Sequence, residues 1–269
     1  MIRNALRLLA CVPVIAATCA LAAAPATVFV DELTWTELRD QIGAGKTTVI
    51  VPIGGTEQNG PHMVLGKHNV RVKILSEKIA QTLGNALVAP VMAYVPEGSV
   101  NPPSAHMRFP GTITVPDATF EKVLEYAARS FNLHGFRTIV FLGDHGAYQK
   151  NLKAVAGRLD REWKATPVRV FAVDEYYRVV DTTYVQALKS RGVSDAEIGT
   201  HAGLADTSLA LAVDPRLVRT DRLLSSGKPD RTQGVVGDPR RSSAALGQLG
   251  VDAIVAASVD AIRRSVAQR

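Results

Sequence analysis

The sequence predicts a layered α/β fold: a mainly parallel β-sheet flanked by helices on both faces. Two observations predict it. Four short runs rich in Val and Ile have the length and composition of strands buried on both sides. Segments with apolar residues at helical spacing separate them, and strand–helix alternation in this order is how parallel strands are joined. The chain has 269 residues, 46% hydrophobic and 21% charged. That excludes a disordered chain, and no composition shift marks a boundary within residues 27–269, which read as a single domain.

Residues 1–26 read as a secretory signal peptide. Arg3 and Arg7 give the positive start, residues 8–17 the apolar stretch, and residues 20–26 the small side chains that processing favours. An uncleaved anchor is the alternative; with cleavage, no stable membrane span is expected and the mature chain is periplasmic. Both cysteines, Cys11 and Cys19, lie in this segment, so the mature chain has no disulfide and no thiolate. The segment removes two of the 31 basic residues and none of the 25 acidic ones, so the net charge falls from +6 to about +4. No Lys/Arg cluster interleaved with aromatics is present, which argues against a nucleic-acid partner.

The elements follow in order. Residues 47–53 are β-branched and uncharged and run into Gly54-Gly55, a first buried strand. Residues 69–83 repeat Val72, Leu75, Ile79 and Leu83 at helical spacing, with Gly84 as C-cap. Residues 86–90 form a short second strand. Residues 116–133 read as a helix, with Pro116 near its first turn and Phe120, Val123, Leu124, Ala127 and Phe131 on one face. Residues 138–142 are the strongest strand, followed by a helix at 148–163, a strand at 168–173 and a last helix at about 243–266. The Pro/Gly-rich stretches 94–111 and 224–241 are long for plain connections and read as functional loops.

A parallel sheet gathers its ligands at the carboxyl ends of its strands, and the polar chemistry falls there. The loop after the first strand carries Glu57, Asn59, His62 and His68. A carboxylate with imidazoles suits Zn, Mn or Fe; the alternative is a polar turn through Asn59-Gly60-Pro61, with His68 opening a helix. Asp144 and His145, flanked by Gly143 and Gly146, follow the strongest strand, where Asp144 could equally cap a helix. His201 precedes an apolar helix that Asp206 could cap, and reads as a general acid/base or a loop residue. His106 and Glu97, in the 94–111 loop, could reach the site from there. His134 suits the C-terminus of its helix, a structural role. No Gly-x-Ser-x-Gly elbow is present.

Taken in order, these segments resemble the creatininase (creatinine amidohydrolase) family. The matching stretches are residues 54–62, 109–113, 134–140 with 143–146, 201–203 near Thr207-Ser208, and 237–239. The resemblance implies a layered α/β fold, one or two divalent ions, hydrolysis of a C–N bond in a small, often cyclic amide, and homo-oligomers. It assigns Glu57 and His145 as metal ligands and His201 as the acid/base near the scissile bond. Two positions depart: Asn59 stands where the family has His, and His68 where it has a metal-bridging Asp. Asp206 replaces a family Glu, and Asp144 adds a carboxylate beside His145. The expected site is therefore a rearranged metal centre of Glu57, His68, Asp144 and His145, with His201 and Asp206 catalytic. A metal-dependent amidohydrolase follows; the alternative is a non-catalytic binding protein of the cell envelope with a degenerate metal site.

Overall fold

In the computed structural model, which describes residues 26–225 and 227–267, β1 (Thr48–Ile53), β2 (Ala86–Val88), β3 (Thr138–Gly143) and β4 (Arg169–Ala172) form one sheet. All its pairings are parallel and its order is β2-β1-β3-β4. Along β1 and β3 the register runs from Thr48 opposite Thr138 to Ile53 opposite Gly143. Every residue of both strands is buried, as expected of strands covered on both faces.

Side chains alternate between two cores. Ile50, Val140 and Leu142 join Val72, Leu75 and Ile79 of α2 (Lys67–Leu83). That core also takes in α5 (Asp174–Val179), α8 (Leu204–Val213) and α10 (Ala244–Ala267). Val49, Val51, Ile53, Ile139 and Phe141 face the other way, onto Phe120 and Leu124 of α3 (Asp117–Leu133) and Leu152, Val155 and Leu159 of α4 (Gln149–Glu162). The expected strands and helices are all present, most with ends shifted by one or two residues; the apolar helix after His201 begins earlier than a cap at Asp206 would place it, with Gly203 as its N-cap.

Some helices are not legible in the sequence: α1 (Trp35–Gly43) and the run from α5 through a π segment (Val180–Tyr184) into α6 (Val185–Lys189). Along that run the buried residues are Tyr176, Val179, Tyr184 and Leu188. The step of five from Val179 to Tyr184 spans the π segment and breaks the helical period. The short α7 (Asp195–Ile198) and α9 (Thr220–Ser225) complete the set.

α10 is long and apolar enough to cross a membrane by composition alone. Here it packs on α8, α5 and α2 through Gly250, Val251, Ile254, Ser258 and Ile262. Residues 1–25, the bulk of the segment read as a signal peptide, lie outside the described residues.

The chain leaves β1 for α2 on one face of the sheet and leaves β3 for α4 on the other. Neighbouring strands whose exits diverge open a crevice at their carboxyl ends. Glu57 follows β1 and His145 follows β3, so both stand at this crevice.

Candidate metal centre

Tyr148 ties the two strand ends together. Its buried hydroxyl lies 2.8 Å from Ile53 O and 2.6 Å from Gly54 O, and accepts the amides of Asp144 and His145 at 3.1 Å each. Beyond it the β1 loop folds on itself. Glu57 N donates to Leu65 O at 3.1 Å. Asn59 Nδ2 donates to Glu57 O at 2.9 Å and Val64 O at 3.1 Å. Asn59 thus braces the loop backbone rather than joining Glu57 in the site.

The long loop after β2 supplies two more groups. Glu97 reaches Glu57 because Gly55, at φ 150°, has no side chain: a Cβ there would stand 2.7 Å from Glu97 Oε1. His106 sits in a 3₁₀ turn (Ala105–Arg108). Its Nδ1 lies 3.0 Å from the side-chain amide nitrogen of Gln58, which also stands 3.0 Å from His201 Nε2.

Glu57, Glu97, His106 and His145 each offer one ligand atom, all within 4.8 Å of one another. Glu57 Oε2 lies 3.1 Å from His106 Nε2 and 3.4 Å from His145 Nε2, and His145 Nδ1 lies 3.7 Å from Glu97 Oε2. Yet Glu57 Oε2 and both Glu97 oxygens are buried with no hydrogen-bond partner. Buried carboxylate oxygens are costly to leave unpaired. Two carboxylates with unpartnered oxygens, converging on two imidazoles, are a donor set that Zn, Mn or Fe satisfies.

The electrostatics agree. Burial, with the nearby Glu57 charge, pushes the Glu97 carboxyl up to about 8. Burial would also raise Glu57, but its contacts with His145 and His68 outweigh that and hold it well below the usual carboxylate range. Burial opposes protonation of His145, yet the Glu57 carboxylate beside it raises it overall. One carboxyl is thus kept neutral beside an ionised one, the pattern of a site short of positive charge.

The sequence groups Glu57 and His145 with His68 and Asp144 as metal ligands. The structure gathers all four in one buried cluster but divides them. His68 directs Nε2 to Glu57 Oε1 at 2.8 Å and Nδ1 to Asp144 Oδ2 at 2.7 Å, so both ring nitrogens are engaged. Asp144 does not cap α4. It accepts from Tyr176 Oη at 2.7 Å and from Arg71 Nε at 2.9 Å. Burial would raise Asp144, but Arg71 and His68 lower it.

Asp206 stands in the first turn of α8, where it accepts the Ala202 amide at 3.0 Å, Arg71 Nη1 at 2.7 Å and the Lys67 ammonium. Burial opposes its ionisation; Lys67 and Arg71 hold it well below the usual range. His201 lies 3.9 Å from Glu57 Oε1 through its Nδ1. Burial, then Lys67, brings its pKa down to about 4. His134 is exposed at the C-cap of α3, away from the cluster.

Lys67 and Arg71 are residues of the cluster that no sequence motif singles out. One signal was available: Arg71 shares the apolar face of α2 with Val72 and Leu75, and a charged side chain on such a face needs a buried partner. For Glu97 and His106 the signal was only their place in a long loop.

Fold and site together define an α/β protein that offers a carboxylate–imidazole donor set at the carboxyl edge of a parallel sheet. The profile of the creatininase family, described as creatinine amidohydrolase, matches residues 31–262, and the chain belongs to that family. It is 29% identical over 257 residues to a creatinine amidohydrolase of Pseudomonas putida, covering 88% of this chain and 96% of the relative. It is 28% identical over 237 residues to a mycofactocin precursor peptide peptidase of Mycolicibacterium smegmatis, covering 80% and 84%. A solved creatininase described with Mn superposes at TM-score 0.73 with 28% identity, covering 89% of this chain and 98% of that one. A creatininase variant described as Zn–Zn type gives TM-score 0.73 at 27% identity, covering 89% and 98%.

Proposed function

We propose that this chain is a metal-dependent amidohydrolase that cleaves a C–N bond in a small amide, with Glu57, Glu97, His106 and His145 holding the metal. The observation that carries this reading is the set of buried, unpartnered oxygens on Glu57 and Glu97 facing two imidazoles. Family membership supplies the class of reaction. A divalent ion bound there supplies Lewis acidity toward a carbonyl oxygen and eases the deprotonation of water.

The chain's own groups do the rest. His145 and His201 line one cavity of about 90 Å³ with Lys67 and Tyr177, and the acyl group of the substrate enters it. His201, with a pKa of about 4, is neutral at physiological pH and takes up the proton released as water attacks. It then returns that proton to the leaving nitrogen. Gln58 positions the ring, its backbone carbonyl oxygen 3.0 Å from His201 Nε2. Asp206 acts from behind, fixing Lys67 at the cavity wall. The segment at 1–26 supports export, and we place the activity in the periplasm; the N-terminal residue of protein recovered from an envelope fraction tests this.

The test of function uses the protein loaded with Zn or Mn and a panel of lactams and linear amides. Metal-dependent turnover is expected. His201→Ala should abolish most of it while bound metal is retained. Full metal loading with no turnover on any amide would sink the catalytic reading and favour a binding protein.

A further inference from the structure

We infer that the centre takes a single divalent ion, and that Lys67 and Arg71 supply, as fixed buried charges, what a second ion would otherwise bring. This rests on the metal-centre reading above. Four carboxylates surround His68 and Lys67, and they fall into two unlike pairs. Glu57 and Glu97 keep three oxygens buried without a hydrogen-bond partner. Asp144 and Asp206 keep none in that state. Asp144 Oδ1 accepts from Tyr176 Oη at 2.7 Å, and Oδ2 faces His68 Nδ1 at 2.7 Å and Arg71 Nε at 2.9 Å. Asp206 Oδ1 accepts from Arg71 Nη1 at 2.7 Å; Oδ2 takes the Ala202 amide at 3.0 Å and the Lys67 ammonium. Within the second pair, two formal negative charges meet two formal positive ones.

A second ion near that pair would have to take oxygens already committed to Lys67 and Arg71. It would also leave both buried cations without their carboxylate partners, since Lys67 is 1% exposed and Arg71 5%. Two positive charges would then face an ion of the same sign at contact distance, where burial weakens the screening by water.

His68 closes the route between the pairs. Its two nitrogens point away from each other, one to Glu57 and one to Asp144. An imidazole offers at most one lone pair on each nitrogen and cannot place both on closely spaced ions as a carboxylate does. The contrast is with the creatininase structure described as Zn–Zn type. Lys67 also lines the cavity shared by His145 and His201, so its charge lies where a carbonyl oxygen would gather negative charge.

The test counts ions and does not depend on turnover. Metal-free protein is titrated with Zn(II) or Mn(II), and bound metal is measured by elemental analysis after dialysis. One equivalent is expected, and the Mn(II) form should give the resolved hyperfine spectrum of an isolated ion. Two equivalents, or the spectrum of a coupled pair, would overturn the inference and leave the amidohydrolase reading standing. No bound metal would overturn both. In a second arm, Lys67→Met removes one fixed charge. Several-fold tighter uptake of the ion is expected in a variant whose circular dichroism matches the parent, and unchanged or weaker uptake counts against the charge argument.

Discussion

Arg71 Nε stands 2.9 Å from Asp144 Oδ2 and 3.1 Å from Oδ1, and both side chains are at least nine-tenths buried. The same guanidinium reaches Asp206, so one cation serves two buried carboxylates. Arg71→Met takes the guanidinium from both, leaving Asp144 with His68 and Tyr176 and Asp206 with Lys67 and the Ala202 amide. Breaking a buried pair from one side costs about 3–5 kcal/mol. Urea unfolding of metal-free protein should show a loss of that order, and a loss below about 1 kcal/mol would mean that water or another side chain satisfies the acids.

Removal of a proposed metal ligand gives a different signature. Glu97→Gln and His106→Asn should each weaken uptake of Zn(II) by at least the roughly 10–100-fold seen when groups outside the ligand shell are lost. His134→Asn, at the exposed end of α3, should leave uptake unchanged. Equilibrium dialysis with a competing chelator distinguishes them. Equal affinities across the three variants would exclude Glu97 and His106 as ligands.

His62 provides a pH dependence away from the metal donors. It is 1% exposed, with Nε2 2.9 Å from Thr207 Oγ1 and Nδ1 without a hydrogen-bond partner. Burial lowers its pKa from 6.5 to about 4. Between those values the unfolded chain binds a proton that the folded chain refuses. Its contribution to stability is therefore complete above pH 6.5 and declines as the pH falls toward 4, by up to about 3 kcal/mol. His62→Gln should flatten the stability–pH curve of metal-free protein in that window. Parallel curves for parent and variant would refute the assignment.

Gly247 marks the close approach of α10 to α8. A Cβ at this position would overlap the Ser208 carbonyl oxygen, which is backbone and cannot swing aside. Gly247→Ala should force the helices apart and destabilise the fold by about 1–3 kcal/mol. A thermal melt matching the parent would show that the crossing yields more easily than its contacts suggest.

The sheet was readable because strands buried on both faces leave an uninterrupted apolar run, as in residues 138–142. The helices that pack on it keep a clean period, as Phe120, Leu124 and Ala128 do in α3. The site was readable only in part. Glu57 and His145 sit one loop beyond strong strands, so topology alone brings them to the crevice. Glu97 and His106 arrive through a long loop whose path depends on Gly55 leaving room and on Gln58 meeting an imidazole, and no local pattern records either. By resemblance, Asn59 departs from a family ligand position and His68 stands in for a bridging carboxylate. In the fold Asn59 braces its own loop, and His68 is held by two carboxylates.

Tyr148 carries a consequence for where change can be tolerated. It gives no donor to the metal group, yet its hydroxyl meets backbone from both strand exits and so sets the gap between the Glu57 and His145 loops. The ring lies just ahead of α4 and packs 5.4 Å from Phe120 of α3. The dimensions of the pocket are thus inherited from a helix layer beneath it. Substitutions that retune the reaction need not touch the pocket; a methylene gained or lost under Tyr148 moves the two loops relative to each other.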